Sequence, residues 1–517
     1  MIQLEKNHDP STNKQLIDEL LENPLSMDET MQETESFFDE IKIEPLANPV
    51  LERPISVTEK ALSFYRMPYS IPDQHGYNWA SDGTDLYPEW KVTLDQEYEN
   101  LERTISRRVD VTDFGAVGDG ETDCTAAFQK AIGKGRVHVY VPPGTYIVKF
   151  IELPSWTRLV GAGKGKTILK LHSDTPKRRR LITNSNYLRG NRNIAVEDLS
   201  MDWNVHRLES LEKTGFGGNF SSCLVFAQVT YGWVKNVEGI NPGLHCFDIT
   251  SPLYNYSGDG FRARGGSRYI WLDRVTGYGF GDDGVTTHHS DYIFVSNSFF
   301  WDPSGAAHDR GVANSNGLEI DDGSRHVWLV NNATARCFGG IEIKAHGSSS
   351  AASGVHISGH LSLNDNRAYN FRHIGHHKAT DPESVSAYNI TAERIIAIAP
   401  VFSDLYWVST PRALVVSGYR NVVINRFLFA GDPEYDYQGN PAVTIQFRAN
   451  HVSLNNGVVK GFKTAKSDIL VSGGDNGANH VRVRNIESID SSAEALSVGD
   501  ECVDVIIESV TQKEAQS

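Results

Sequence analysis

The sequence predicts an all-β protein built as a parallel β-helix, and three observations carry that reading. From about residue 135 onward, short β-rich runs alternate with Gly, Asn, Asp and Ser, with no long helical pattern between them. The runs also repeat. "DGFRARGGSRYIWLDRV" from Asp259, "DGVTTHHSDYIFVSNS" from Asp283, "NGLEIDDGSRHVWLVNN" from Asn316 and "GGIEIKAHG" from Gly339 stack into columns, with Gly260, Gly284, Gly317 and Gly340 in second place at separations of 24, 33 and 23 residues. Within each run, apolar residues recur at period two: Phe261, Val285, Leu318 and Ile341, then Ala263, Thr287, Ile320 and Ile343. A coil of about 23–30 residues cannot bury an apolar face alone, so stacking must supply the core. A propeller blade would need about 40 residues and four strands, more than this spacing allows.

Taken in order, residues 1–50 read as an acidic arm, helical or disordered, holding 12 Asp and Glu against 3 Lys. "NKQLIDELLENPL" has helical apolar spacing and a Pro stop. Residues 51–108, rich in turns and aromatics, read as an adaptor or neck. At 109 the texture changes: "VDVTDFGAVGDGETDCTAAFQKAI" predicts a strand, a glycine-rich turn and a short capping helix, N-capped by Thr122 or Asp123. Residues 109–510 are the expected solenoid and 511–517 a tail. The stretch "WDPSGAAHDRGVANS" lengthens one coil, so residues 306–315 are expected as a loop on the groove's rim. Trp271, Phe294 and Trp328 fall at one outward offset. Sugar stacking or burial against a neighbouring subunit would explain them, and the latter suggests a homotrimer.

Composition narrows the function. A net charge of −16 argues against a nucleic-acid partner. No apolar run reaches the length of a membrane span. The start "MIQLEKNHDP" has no basic and apolar leader, so classical secretion is not expected. Cys124, Cys223, Cys246, Cys337 and Cys502 lie far apart without metal-ligand spacing and are expected as buried free thiols.

The columns also gather charge. Side chains between the inward positions point outward: Arg262, Thr286, Glu319 and Glu342, then Arg264, His288, Asp321 and Lys344. Asp259 and Asp283 share a column in this alignment, with Asp282 beside them and Asp322 beside Asp321. Asp-Gly pairs commonly make turns. Stacked like charges cost energy, however, and a whole face of them calls for a proton, a cation or a reaction. Crowding raises the pKa of one carboxyl and leaves another ionised, which is the requirement of glycosidic hydrolysis. Asp283 is the expected general acid, with Asp259 and Asp282 activating water. Arg262, His288, Glu319, Asp321, Asp322, Glu342 and Lys344 are expected to bind substrate. Such a hydrolase needs no metal or cofactor. A polysaccharide lyase would instead hold Ca²⁺ on Asp259, Asp282 and Asp283, with Lys344, Arg262 or a histidine as base. A phosphodiesterase acting on a teichoic-acid-like polymer would use the carboxylates with His288 and His289 to bind a metal. A non-catalytic receptor-binding protein is the remaining alternative.

The segment "DVTDFGAVGDGETDCTAAFQKAI…VYVPPGTYIV" resembles the opening of the pectate-lyase-like, right-handed parallel β-helix superfamily, common in phage tailspikes, phage appendages and polysaccharide-degrading enzymes. The resemblance covers residues 109–510. It implies a single-stranded right-handed solenoid and a polysaccharide depolymerase located in a virion tail, joined to the tail or baseplate through residues 1–108; non-classical secretion is the alternative. A weaker resemblance is to polygalacturonase-type glycoside hydrolases. Asp259 matches their first carboxylate, Asp282 and Asp283 their pair, and Lys344 their final lysine. Asn316 stands where that family has a histidine, and Glu342 where it has an arginine. This likeness implies inversion at the sugar carbon.

Overall fold

The predicted columns are hydrogen-bonded parallel strands in the computed structural model, which describes residues 3–22, 25–44, 66–67, 77–254, 262–346, 350–374 and 386–514. They form a right-handed parallel β-helix with two long sheets, one of 12 strands and one of 19. Seven strands of the shorter sheet concern the site: β1 (Ile182–Asn184), β2 (Leu224–Ala227), β3 (Phe247–Thr250), β4 (Val285–Thr287), β5 (Asn316–Ile320), β6 (Gly339–Ala345) and β7 (Arg367–His373). Phe247, Val285, Leu318, Ile341 and Tyr369 are in register, as are Ile249, Thr287, Ile320, Ile343 and Phe371. All are buried, and the first series belongs to the main apolar core, which runs along the solenoid.

Gly284, Gly317 and Gly340 share a column, as predicted. One coil upstream, however, the residue in register is Cys246, not Gly260. The alignment on "DGFRARGG" was therefore displaced at its start. Arg262–Ala263 lies outside the coil sheets and pairs antiparallel with Arg66–Met67. The later part, "RYIWLD", is in the right place on the longer sheet. Asp-Gly marks any tight turn and does not fix register; the alternation of Phe247 and Ile249 does.

The longer strands turn corners at residues with positive φ. Tyr231, Tyr269, Tyr292, His326, Gly354, Asn389, Asn421, His451 and His480 form one such column. Five residues further along, Asn236, Arg274, Asn297, Asn331, Gly359, Arg394, Arg426, Asn456 and Asn485 form another. Left-handed backbone is costly except for Gly and, to a lesser degree, Asn and Asp. Stacked asparagines offset that cost by side-chain bonding: Asn485 Nδ2 donates to Asn456 Oδ1 at 3.0 Å, and Asn456 Nδ2 to Asn425 Oδ1 at 2.9 Å.

Helices α1 (Asn13–Leu21) and α2 (Met27–Ile41) lie along the longer sheet. Their acidic side chains meet arginines on it: Asp18 with Arg394, Glu33 with Arg426 at 2.8 Å, and Glu40 with Arg482 and Arg484. The excess acid of the arm thus has a local counterpart. Helix α3 (Lys91–Thr104) covers the aromatic column, which runs Trp233, Trp271, Phe294, Trp328. Trp90, Leu94 and Leu101 pack with it. The outward orientation is as predicted, but the chain's own N-terminal part covers the column, so the aromatics call for neither a sugar nor a second subunit. The capping helix α4 (Thr125–Ile132) is present with Cys124 at its N-cap; Asp123 stands one residue earlier and accepts the Thr125 N–H at 3.0 Å. Cys124, Cys223, Cys246 and Cys337 are buried free thiols, and Cys502 is free and partly exposed.

Replacing Asn456 with valine should destabilise the protein by about 1–2 kcal/mol, the cost of a β-branched residue in left-handed backbone, plus the lost side-chain bonds. Asn456→Gly should cost less, because only the bonds are lost. Denaturant unfolding of the two variants beside wild type gives the comparison; equal losses would show that the corner carries no backbone strain.

Candidate active site

The strand residues that alternate with the core project from the shorter sheet. Register places Asp248, Thr286, Glu319, Glu342 and Asn370 in one outward column. His288, Asp321 and Lys344 follow two residues on, and His245, Asp283 and Asn316 lie just before the strands or at their start. Coils stack at about 4.8 Å, so neighbouring side chains in a column are within interaction range. The result is a row of buried ionisable groups: His245, Asp248, Asp283, His288, Glu319, Asp321, Glu342 and Lys344.

At one end, Asp282 and Asp283 share one imidazole nitrogen. His245 Nε2 is 3.4 Å from Asp282 Oδ2 and 3.5 Å from Asp283 Oδ2, while its Nδ1 lies 3.4 Å from Asp248. The two aspartates then diverge. Asp282 Oδ1 is 2.9 Å from Nε2 of His308, which the long loop contributes. Between these two histidines, the Asp282 carboxyl is held below the usual carboxylate range despite its poor hydration. Asp283 Oδ1 accepts two N–H groups of Asn316, at 3.0 and 3.1 Å, and among the described residues its buried Oδ2 has no hydrogen-bond partner beyond the longer contact with His245. Burial first, then the charges of Asp282 and Glu319, push the Asp283 carboxyl well above the usual carboxylate range.

Further along, His288 lies between Asp248, at 3.8 Å, and Asp321, at 3.6 Å. Burial opposes charge on both imidazoles. Their carboxylate neighbours prevail and raise His245 to about 9 and His288 to about 10. Lys344 bridges Glu319 at 2.5 Å and Asp321 at 3.6 Å, and Thr286 donates to Glu319 at 2.9 Å. Glu342 is paired with Arg372. Asp322 turns to the side, accepting from Tyr254 Oη at 2.8 Å and from the His346 N–H at 2.9 Å.

Of the residues predicted from sequence, Asp282, Asp283, His288, Glu319, Asp321, Glu342 and Lys344 come together, with Asp322 at the margin. Asp259 lies outside the described residues, and His245, not Asp259, stands opposite Asp283 in the preceding coil. Arg262 is not in the outward column; Asp248 is. Arg262 is buried behind the strand ends, donating to Asp291 Oδ1 at 2.6 Å and to backbone carbonyls. His289 also points away from the row: its Nδ1 takes the Ala263 N–H at 3.1 Å, and burial beside Arg262 keeps the ring neutral. His245, Asp248 and His308 were missed. The signal was present in "LHCFDIT", whose Phe247 and Ile249 are an inward pair with His245 and Asp248 at the outward offsets. The loop's rim position was legible, but its delivery of His308 was not.

Among the described residues, three groups place possible ligand atoms within 4.8 Å of one another: His245–Asp282–Asp283, His288–Glu319–Asp321 and Asp321–Asp322–His346. Each contains an imidazole, a donor suited to a transition ion more than to Ca²⁺, which prefers oxygen alone.

A family model for rhamnogalacturonase A/epimerase, pectate lyase-like proteins matches residues 108–342, from the first coil to Glu342 of the site. The crystal structure of the N-terminal fragment of bacteriophage phi29 gene product 12 superposes with a TM-score of 0.73 at 40% identity, covering 81% of this chain and 69% of that one. This chain belongs to the pectate-lyase-like β-helix family. Within curated relatives, this family member is 52% identical over 409 residues to the phage-related protein YobO of Bacillus subtilis (strain 168), covering 79% of this chain and 50% of that protein. It is 42% identical over 411 residues to the pre-neck appendage protein of Bacillus phage phi29, covering 78% of this chain and 47% of that one. The chain therefore spans about half the length of the curated relatives it matches.

The paired imidazoliums set a pH dependence for this β-helix. A histidine whose pKa is raised on folding stabilises fully below its unfolded value of 6.5, and the contribution is lost as pH climbs through the folded value. The melting temperature should therefore fall between pH 6.5 and about 10, and more gently in His245→Asn and His288→Asn. Melting curves in buffers of matched ionic strength measure this; identical slopes in all three proteins would contradict the pairing.

Proposed function

We propose that this chain is the β-helix of a phage tail appendage that depolymerises a bacterial surface polysaccharide by hydrolysing its glycosidic bonds. The observation that carries this reading is the pair Asp282 and Asp283, adjacent in sequence and sharing His245, with Asp282 set between two imidazoles and Asp283 buried against Asn316. Hydrolysis of an acetal needs one carboxyl that gives a proton to the leaving oxygen and one carboxylate that activates water or stabilises the sugar cation. Asp283, protonated, is the acid. Asp282, anionic and oriented by His245 and His308, is the base. Lys344, Glu319, Asp321, His288 and Glu342 contact the sugar, and the reaction requires no cofactor. Kinship with pre-neck appendage proteins supports a place in the virion tail, with residues 1–108 toward the tail or baseplate. A homotrimer is part of the proposal; its contacts must lie away from the aromatic column that α3 covers.

Incubation with a panel of capsular, exopolysaccharide and wall polymers, followed by mass spectrometry, tests the reaction. Products gaining one water per cut are expected; unsaturated uronates would indicate a lyase and phosphomonoesters a phosphodiesterase. Asp283→Asn should lower turnover by roughly 10²–10⁴, the usual contribution of a positioned acid, at an unchanged or slightly higher melting temperature. Asp282→Asn should lower turnover similarly but also lower the melting temperature, because the pairs with His245 and His308 are lost. Wild-type cleavage by both variants would make the carboxylates a structural ladder and end the proposal.

A further inference from the structure

The stretch "KRRR", Lys177–Arg180, has no part in the proposed chemistry. The protein carries 65 acids against 49 Lys and Arg, yet among the described residues none of these four cations forms an ion pair with a carboxylate. Aromatic faces hold three of them instead. Arg178 lies over Phe216 and Phe220, with ring centroids at 5.3 and 4.6 Å, and Arg179 over Phe150 at 4.6 Å. Arg180 sits between two rings, 4.2 Å from the centroid of Tyr187 and 4.1 Å from that of Phe220. Its Nε and Nη2 both donate to Oδ1 of the buried Asn219, at 2.9 and 2.5 Å, and Asn219 is joined in turn to Tyr187 Oη. Sandwiched and tethered, this guanidinium is fixed before any ligand arrives. Among the described residues its Nη1 has no hydrogen-bond partner.

Register gives the clamp its meaning. Arg180 stands in the column that continues through Ser222, His245, Asp283 and Asn316, as the inter-coil bonds Leu181 N to Ser222 O, Cys223 N to His245 O, Cys246 N to Asp283 O and Gly284 N to Asn316 O establish. Two coils separate Arg180 from His245, about 10 Å at the usual spacing. A polymer lying along the sheet and cut at Asp283 would thus pass over Arg180 a short way from the cut.

We propose that Arg180, clamped by Tyr187, Phe220 and Asn219, is a subsite for an anionic group, carboxylate or phosphate, carried by the polymer that occupies the groove. A planar guanidinium offers paired N–H donors that match either anion, and a pre-ordered one gives up little freedom on binding. Arg178 adds a second positive charge nearby. The inference rests on the groove being a polymer site, and it makes substrate charge a determinant of recognition at a point apart from the reacting carboxylates.

The test uses the full chain with Asp283→Asn, so that polymer binds without being cut. Titration calorimetry is run with an oligogalacturonate, an oligo(glycerol phosphate), a neutral dextran oligosaccharide and a single-stranded DNA of matched charge. Binding of one of the first two is expected, and which one binds identifies the anion. Adding Arg180→Gln should weaken it about 10- to 100-fold, the loss of a charged hydrogen bond. Arg180→Lys should fall between, and melting curves of both establish that they fold. Arg180→Gln or Arg180→Lys binding like its parent, dextran binding equally well, DNA binding as tightly, or no binding of either acidic oligomer would each overturn the subsite. Cleavage assays separate the two claims: Arg180-dependent binding by a wild-type protein that cuts nothing would remove the hydrolase and keep the subsite.

Discussion

Stacking in register is the constraint from which the other features follow. Each coil must put its apolar pair over the pair below, and the left-handed corners recur column by column to make that happen. The corner residues, Asn where a ladder forms and Tyr, His or Arg elsewhere, accept local backbone cost because the sheet bonds on either side fix their neighbours. Once the inward positions are fixed, the outward ones have no freedom: His245, Asp283 and Asn316 are brought together although separate coils supply them.

The same constraint explains how buried charges coexist. A carboxylate row would repel itself, but its members are interleaved with cations from adjacent columns: His245 and His288 beside Asp248, and Lys344 between Glu319 and Asp321. Each imidazole gains more from two carboxylates than it loses in hydration. Asp283 is the exception. Its hydrogen bonds come from neutral Asn316 groups, it shares His245 with Asp282, and His308 sits on Asp282 alone. One of two neighbouring carboxyls must then stay protonated, and the hydrogen bonds select which.

Much of this was legible in the residues, and the failures are instructive. Apolar alternation at Val285, Leu318 and Ile341 defined the strands, and the glycine column defined their stacking, because both are local signals repeated at short intervals. The coil before Val285 was misread because the sequence between Thr250 and Arg268 carries an Asp-Gly pair, a dipeptide that suits any tight turn, whereas the residues in register with Val285 and Thr287 are Phe247 and Ile249. That error carried Asp259 and Arg262 into columns held by His245 and Asp248. The covering of Trp271, Phe294 and Trp328 could not be read from their own sequence, since outward aromatics look the same whether a partner, a sugar or another part of the chain lies over them. Arg180 escaped for a different reason: its meaning depends on register with Asp283, more than a hundred residues away.

The loop that carries His308 is held from both sides. The Thr214 N–H bonds to Ala306 O at 2.8 Å, and the Ala313 N–H to Leu405 O at 2.9 Å, with Trp407 N to Gly311 O beside it. Its anchors thus come from an early coil and from one wound nearly two hundred residues later. The place of His308 beside Asp282 therefore depends on parts of the chain nearly two hundred residues apart, so a change far from the carboxylates in sequence can reach them through this loop.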